Sequence, residues 1–443
     1  GLNPLNLIPY ARDLIPYVYE ILSLSKSYDI QRIDYQGLTA LFKNMDAWYN
    51  YAFGESKDSL YKLIYNGVSA VSTLTGLPAG VPVSLEAVNR ELWRRQQGYG
   101  RGGRMKIETD RAEIVAGVRH SITIGSPVAI LIRNADWKNW TEVLPVGQGE
   151  EEKKKPVTRP RPGHADLAGA IKYGFPDARY ILERASARET TARVAVGALA
   201  KALLAQFGIE VLSHVTAVGS VRLARRAAWE EIAALSRRGD VLLGCVDPET
   251  EARMKEVVDE AYRTGDTVGG VFETVAHGVP PGLGSYITWD SRLDGRLAQA
   301  VVSIQAVKGV EIGDAEQGAA SFGSAVQDTI HYHRQERRFF RGANRAGGIE
   351  GGMTNGQDIV VRGFLKPIST LRRPLESVDL ATREPALAAY ERSDVCVVPA
   401  AGVIAEAMVA IVLAQAFLEK FGGDSLSETR RNYEGYLKQV EEF

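Results

Sequence analysis

Cysteine is nearly absent: only Cys245 and Cys396 occur in a chain of 443 residues. Both sit in apolar, strand-like runs, where a buried reduced thiol is expected rather than a disulfide or metal ligand, and no zinc or iron site is implied. Neither sign of charge is in excess, since 53 basic and 54 acidic side chains leave a formal net charge of −1. No global field therefore draws the chain to nucleic acid or an anionic membrane, and any anion binding must be local. No run reads as the roughly 18 apolar residues needed to span a bilayer. The start lacks the basic region and small-residue cleavage site of a signal peptide, so a cytoplasmic enzyme is the expectation. No solenoid-period repeat is visible, and no dinucleotide fingerprint follows a strand.

Histidine is missing from residues 1–76, and arginine is confined there to Arg12 and Arg32, while nine of the 18 tyrosines lie in this stretch. Apolar positions at Leu7, Ala11, Leu14, Val18 and Ile21, at Leu38, Leu41, Phe42 and Met45, and at Leu60, Leu63, Ile64 and Val68 follow helical spacing. Residues 1–76 thus read as an added helical segment, either packed on the rest or free to bind a partner, and residues 77–443 as the main domain. In the latter, Ser84 is expected to cap a helix running to Gln97, and long apolar helices are expected over 187–206 and 402–420, the second ended by Gly422 and Gly423. Strands are expected at 127–133, 241–246, 267–276, 358–364 and 394–398.

The chemistry-bearing residues gather in short motifs. Arg161-Pro162-Gly163-His164-Ala165-Asp166 and Arg184-Ala185-Ser186-Ala187-Arg188-Glu189-Thr190 precede two expected helices and bring arginines, a histidine, a serine and acids together. In the run from Arg94 to Met105, Arg95, Arg101 and Arg104 stand among glycines that let backbone approach a ligand. Guanidinium groups in such settings suit a multiply anionic small molecule. Asp166 can orient the His164 ring, which favours a titrating role. The charged loop from Glu150 to Pro160 is either a lid over the site or a solvated connection. Its basic run from Lys153 to Arg161 is too small to argue for nucleic acid.

These two motifs resemble those of the chorismate synthase family. The resemblance continues through Gly278-Val-Pro-Pro-Gly-Leu-Gly-Ser, Ser303-Ile-Gln-Ala-Val-Lys-Gly-Val-Glu-Ile-Gly, Asn344-Arg-Ala-Gly-Gly-Ile-Glu-Gly-Gly-Met-Thr-Asn-Gly and Lys366-Pro-Ile-Ser-Thr. It implies an α+β fold, a β-α-β sandwich of antiparallel sheets around central helices. It implies a homotetramer that converts 5-enolpyruvylshikimate 3-phosphate to chorismate by anti-1,4-elimination of phosphate, using reduced FMN, with NADPH as an indirect reductant. By the same resemblance Arg95, Arg101, Arg104, Arg161 and Arg188 bind substrate, and His164 and Asp394 are catalytic. Flavin contacts are implied for Arg184, Ala185, Ser186, Gln305, Ala306, Gly351, Lys366, Pro367, Ile368, Ser369, Thr370 and Arg392, with Gln305 and Ala306 on a helix beginning near Ser291.

The chain departs from the family at its front. The Gly-Glu-Ser-His-Gly motif is not found; a gapless alignment back from Leu77-Pro78-Ala79-Gly80 puts Gly67 on its last glycine and Asn66 on its histidine. Two readings follow: a chorismate synthase whose activity is impaired, or a non-catalytic relative that binds flavin and anions and recruits a partner through its N-terminal helices.

Overall fold

The computed structural model of the chain describes residues 68–443 except 103–108, 146, 148, 150–152, 240–241 and 392, and the side chains of 68–71 and 184 are outside the description as well. The helices expected up to residue 64, with Asn66 and Gly67, lie outside the described residues.

Two antiparallel sheets form the outer layers. The smaller has β1 (Val68–Leu74), β2 (Ala112–Ala116) and β3 (Val128–Arg133) in the order β1-β3-β2. β1 therefore precedes the boundary expected at residue 77 and is a paired strand. Strand β3 alternates as a half-buried strand should, with Val128, Ile130 and Ile132 almost completely covered. The larger sheet has β4 (Glu210–Val218), β5 (Val221–Arg222), β6 (Gly270–His277), β7 (Val307–Ile312) and β8 (Ile359–Leu365), ordered β5-β4-β6-β8-β7.

Helices fill the middle. Of the helices that carry or support the site, α1 (Leu85–Gln96) starts at Ser84, whose Oγ accepts the Ala87 N–H at 3.1 Å. Next come α2 (Asp166–Tyr173), α3 (Arg179–Arg184), α4 (Thr190–Ala205), α5 (Pro248–Thr264), α6 (Leu293–Val302), α7 (Val398–Phe421) and α8 (Leu426–Glu442). Helix α4 packs on β1 and β3, and α7 packs on β4 and β6, so the order of layers is sheet, helices, sheet. The two helices approach closely at Gly197, where a Cβ would stand 2.3 Å from that of Ala407. Helix α7 corrects the expectation that no apolar run is long enough to span a bilayer: it has 24 residues, and an 18-residue stretch of it has a mean hydropathy of 2.1, yet 78% of that stretch is buried inside the protein. An apolar surface on all sides is what a helix between two layers requires.

One ion network pins this middle layer. Glu406 of α7, wholly buried, takes Arg94 of α1 through two 2.7 Å bonds, Lys201 of α4 at 2.5 Å, and the N–H and Oγ of Ser213 in β4 at 2.8 and 2.6 Å. Glu91 accepts from the same Arg94 and Lys201. Burial acts to raise the Glu91 carboxyl, but Lys201 and Arg94 outweigh it and hold it at about 2, against an ordinary 4.5.

Two expected strands are absent. Residues 242–246 are irregular because Leu243, Gly244 and Cys245 donate their N–H groups to Glu251 Oε1 of α5 at 3.0, 2.7 and 3.2 Å, leaving no ladder to form. Residues 394–397 are a connection into α7: Val395 donates to the Gly100 carbonyl and accepts from Val268. Both cysteines are buried, at 2% and 0% exposure, and burial pushes the Cys396 thiol up to about 11.

Candidate functional site

The first cluster is local in sequence. Gly163 (φ +75°) turns the chain so that Arg161, His164 and Asp166 face one another at the start of α2. Asp166, fully buried, accepts from Arg161 Nε at 2.8 Å and from the Arg161 N–H at 3.1 Å, and its Oδ1 lies 2.6 Å from His164 Nδ1. A contact that short to a carboxylate places the proton on Nδ1, and Nε2, with Arg161 Nη2 3.4 Å away, is the other nitrogen of the ring. Burial would raise the Asp166 carboxyl, but its bonds from His164 and Arg161 prevail and hold it well below the usual range. The approach to this turn is anchored: Val157, Thr158, Arg159 and Pro160 each offer a carbonyl that accepts a hydrogen bond, from Ala178, Leu380, Ala389 and the Ser377 hydroxyl.

The second cluster is built from distant segments around Asp110. Its Oδ2 accepts from Arg95 Nη2 and its Oδ1 from Arg188 Nη2, both at 2.6 Å. Arg95, 5% exposed, also reaches Thr190 Oγ1 at 3.3 Å, while its Nε is buried without a partner among the described residues. Burial lowers the pKa of Arg95, Asp110 opposes, and the like charges of Arg188 and Arg101 lower it further. The three arginines therefore share one environment. Arg101 pairs with Asp394 at 3.4 Å, and Asp394 also accepts the Gly102 N–H at 2.5 Å.

Gln305 and Ala306 tie the clusters together. They do not lie on a helix as expected: α6 ends at Val302, and Ala306 takes a left-handed φ of +68° in the following turn. Gln305 Nε2 donates to Glu189 Oε1 at 2.5 Å, beside Arg188, and the Ala306 carbonyl accepts the Lys366 N–H at 3.0 Å. The loop from Lys366 to Thr370 then closes on the first cluster: Ser369 Oγ donates to the Gly163 carbonyl at 2.8 Å, Lys366 Nζ donates to Ser369 Oγ at 2.9 Å, and Thr370 Oγ1 accepts from Arg161 Nη1 at 2.8 Å. Thr267 holds the Ile368 carbonyl beside Pro367. Burial, then the charge of Lys308, draws the Lys366 ammonium below its ordinary range.

Arg95, Arg101, Arg161, Arg188, Lys366, Gln305, Ala306, Ser369 and Thr370 thus belong to one connected site with His164 and Asp394. Ser186 caps the short turn that carries Arg188, and Ala185 closes α3. Gly351 (φ +61°) is in the turn between Ile349–Glu350 and Met353–Thr354, and no described hydrogen bond links it to the clusters. Arg104 and Arg392 lie outside the described residues, as does the side chain of Arg184. Asp110, the organising acid, escaped the sequence reading; the signal available was the surplus of arginines in a glycine-rich run, which demands a buried counter-ion. Among the described residues no group of three or more histidine, cysteine or acidic side chains could hold a metal. With Glu189 and its partner Arg193 counted, the described bases of the site (Arg95, Arg101, Arg161, Arg188, Arg193, Lys366) outnumber its acids (Asp110, Asp166, Glu189, Asp394), which leaves it net basic.

Comparison with known proteins agrees with this chemistry. The chorismate synthase family model matches residues 61–418. The chain is 80% identical over 379 residues to a chorismate synthase of Solibacter usitatus, covering 85% of this chain and 97% of that protein. It is 67% identical over 383 residues to one of Koribacter versatilis, again over 85% of this chain and 98% of the relative. A solved crystal structure of chorismate synthase superposes with a TM-score of 0.69 at 41% identity, covering 86% of this chain and 96% of that one.

Proposed function

Since the chain belongs to the chorismate synthase family, carbon–oxygen lyases of the shikimate pathway, we propose a division of labour among the residues of its charged site. The family substrate, 5-enolpyruvylshikimate 3-phosphate, carries a phosphate and two carboxylates, and elimination of the phosphate gives chorismate. The observation that carries the assignment is the excess of basic over acidic side chains, with Arg193, Lys366 and Glu189 counted, in a site joined through Gln305 and Ala306.

Asp110 holds Arg95 and Arg188 in a fixed mutual orientation, one on each carboxylate oxygen, so the two can meet a bound anion without reorganising. Arg161 and Arg101 extend the same surface, and Arg104 lies next to it in sequence. His164 moves a proton at Nε2, with Asp166 fixing the tautomer through Nδ1. Asp394 positions the Arg101 loop through the Gly102 N–H.

The residues present fit reduced FMN, the cofactor of the family. Gln305 Oε1 is buried with no partner among the described residues, an acceptor that a ring N–H would satisfy, and Lys366 beside Ser369 suits a phosphate. Arg184, Ala185, Ser186, Gln305, Ala306, Gly351, the loop from Lys366 to Thr370 and Arg392 would hold it. When bound it lends electron density as the carbon–oxygen bond to phosphate breaks. The protein's own residues exclude water, neutralise the substrate's charge and take part in proton movement through His164. A homotetramer is the proposed assembly.

The test is anaerobic incubation of the full chain with chemically reduced FMN and 5-enolpyruvylshikimate 3-phosphate, following phosphate and chorismate together. Equal release of both is expected. Ligand binding without either product would favour the non-catalytic reading, which rests on Asn66 standing where the family motif has histidine.

A further inference from the structure

Glu189 occupies the position that caps α4, yet it does not cap the helix. A side chain there usually accepts one of the first helical N–H groups, and that of Glu189 makes no such bond among the described residues. Its carboxylate turns instead to Gln305 and Arg193. Oε1 accepts from Gln305 Nε2 at 2.5 Å and pairs with Arg193 Nη2 at 2.9 Å, while Oε2 accepts from Arg193 Nε at 3.2 Å. Arg193, one helical turn further on, donates from Nη1 to Ser303 Oγ at 2.7 Å. Glu189, Arg193, Ser303 and Gln305 thus close a ring of contacts between the start of α4 and the turn that follows α6.

The ring settles which way round the Gln305 amide lies. An amide has a donating end and an accepting end of nearly the same shape, so its orientation is set by what each end meets. An ionised carboxylate accepts and cannot donate, so the end that faces Glu189 is the NH2 group. The other end, Oε1, is then an acceptor, and it is buried with no partner among the described residues. A buried acceptor calls for a donor, because leaving it unpaired forfeits the hydrogen bonds it would make in water. If Glu189 served α4 alone, its pair with Arg193 on the same helix would suffice, and the bond to Gln305 would be idle.

We propose that Glu189 is a positioning residue for the flavin: by holding Gln305 Nε2 it presents Gln305 Oε1 to an N–H of the isoalloxazine ring, and it acts only through Gln305. The inference rests on the reading of Gln305 as a flavin contact given above. Turned round, the amide would set its own NH2 group against that ring N–H, two donors with nothing between them to accept.

Anaerobic equilibrium dialysis of the full chain against photoreduced FMN tests this without recourse to turnover. Glu189→Gln keeps the size of the side chain but can donate as well as accept, so it no longer dictates how the Gln305 amide lies. It should weaken FMN binding by about tenfold. Gln305→Met, which removes the acceptor, should weaken it by a similar factor, and Glu189→Gln should add nothing further on the Gln305→Met background, since both act through one atom. A Glu189 that merely stiffened the fold would give losses that multiply in the double variant. That result, or an FMN affinity unmoved by either single substitution, would overturn the proposal while leaving the flavin reading in place. Failure of the unaltered chain to retain FMN would remove the flavin reading and this inference with it.

Discussion

Arg94 and Arg95 are consecutive residues of one helix and belong to two different machines. A helix turns about 100° per residue, so neighbours in sequence address different surroundings. Arg94 enters the network of Glu406, Glu91 and Lys201, two acids against two bases, with each charge answered inside the protein. Arg95 enters the site around Asp110, an acid that it shares with Arg188, and Arg101 adds a further positive charge. We propose that the same residue type, largely buried in both places, is structural in the balanced network and serves the proposed site in the other. Counting ions within a buried cluster is thus a more informative test of function than burial or pairing alone.

The contrast breaks most sharply at His164. His164→Ala should lower kcat by about 10² to 10⁴ with the thermal midpoint unchanged, read by phosphate release. Glu406→Ala should do the converse. It leaves Arg94 and Lys201 buried without a counter-charge and should cost about 3–5 kcal/mol in chemical denaturation, while kcat of the molecules still folded is retained. A smaller effect distinguishes the two regions by pH. The folded Glu91 carboxyl is held at about 2 against an ordinary 4.5, so its contribution is complete above 4.5 and is lost progressively as pH falls towards 2. Stability measured by urea titration should decline over that window, and less steeply in Lys201→Met, which removes the larger of the two charges that hold Glu91 down. The smallest change is Ser84→Ala, which removes the cap of the helix carrying both arginines and should cost about 1 kcal/mol with no effect on kcat.

Much of the fold was legible. The cap at Ser84, the apolar helices over 190–205 and 398–421, and strands at 128–133, 270–277 and 359–365 follow from local pattern. The misread runs at 241–246 and 394–398 are apolar and β-branched, a composition that a buried loop shares with a strand; what decides between them is a distant partner, Glu251 for one and Gly100 for the other. In the site, Arg161, His164 and Asp166 lie within six consecutive residues, 161–166, so their grouping is written in the chain. Asp110 carries no such signal. It becomes the pivot of Arg95 and Arg188 only after α1 and α4 are packed, and the same holds for the bond from Arg161 to Thr370.

The two cysteines have a practical sequel. With Cys245 and Cys396 sealed inside, and the Cys396 thiol held protonated at neutral pH, neither offers a thiolate to maleimide dyes or spin labels. A single introduced thiol, for example Lys438→Cys on the outer face of α8, would be the one reactive handle on an otherwise native chain, so fluorescence or paramagnetic reporters can be attached without first stripping sulfur from the interior.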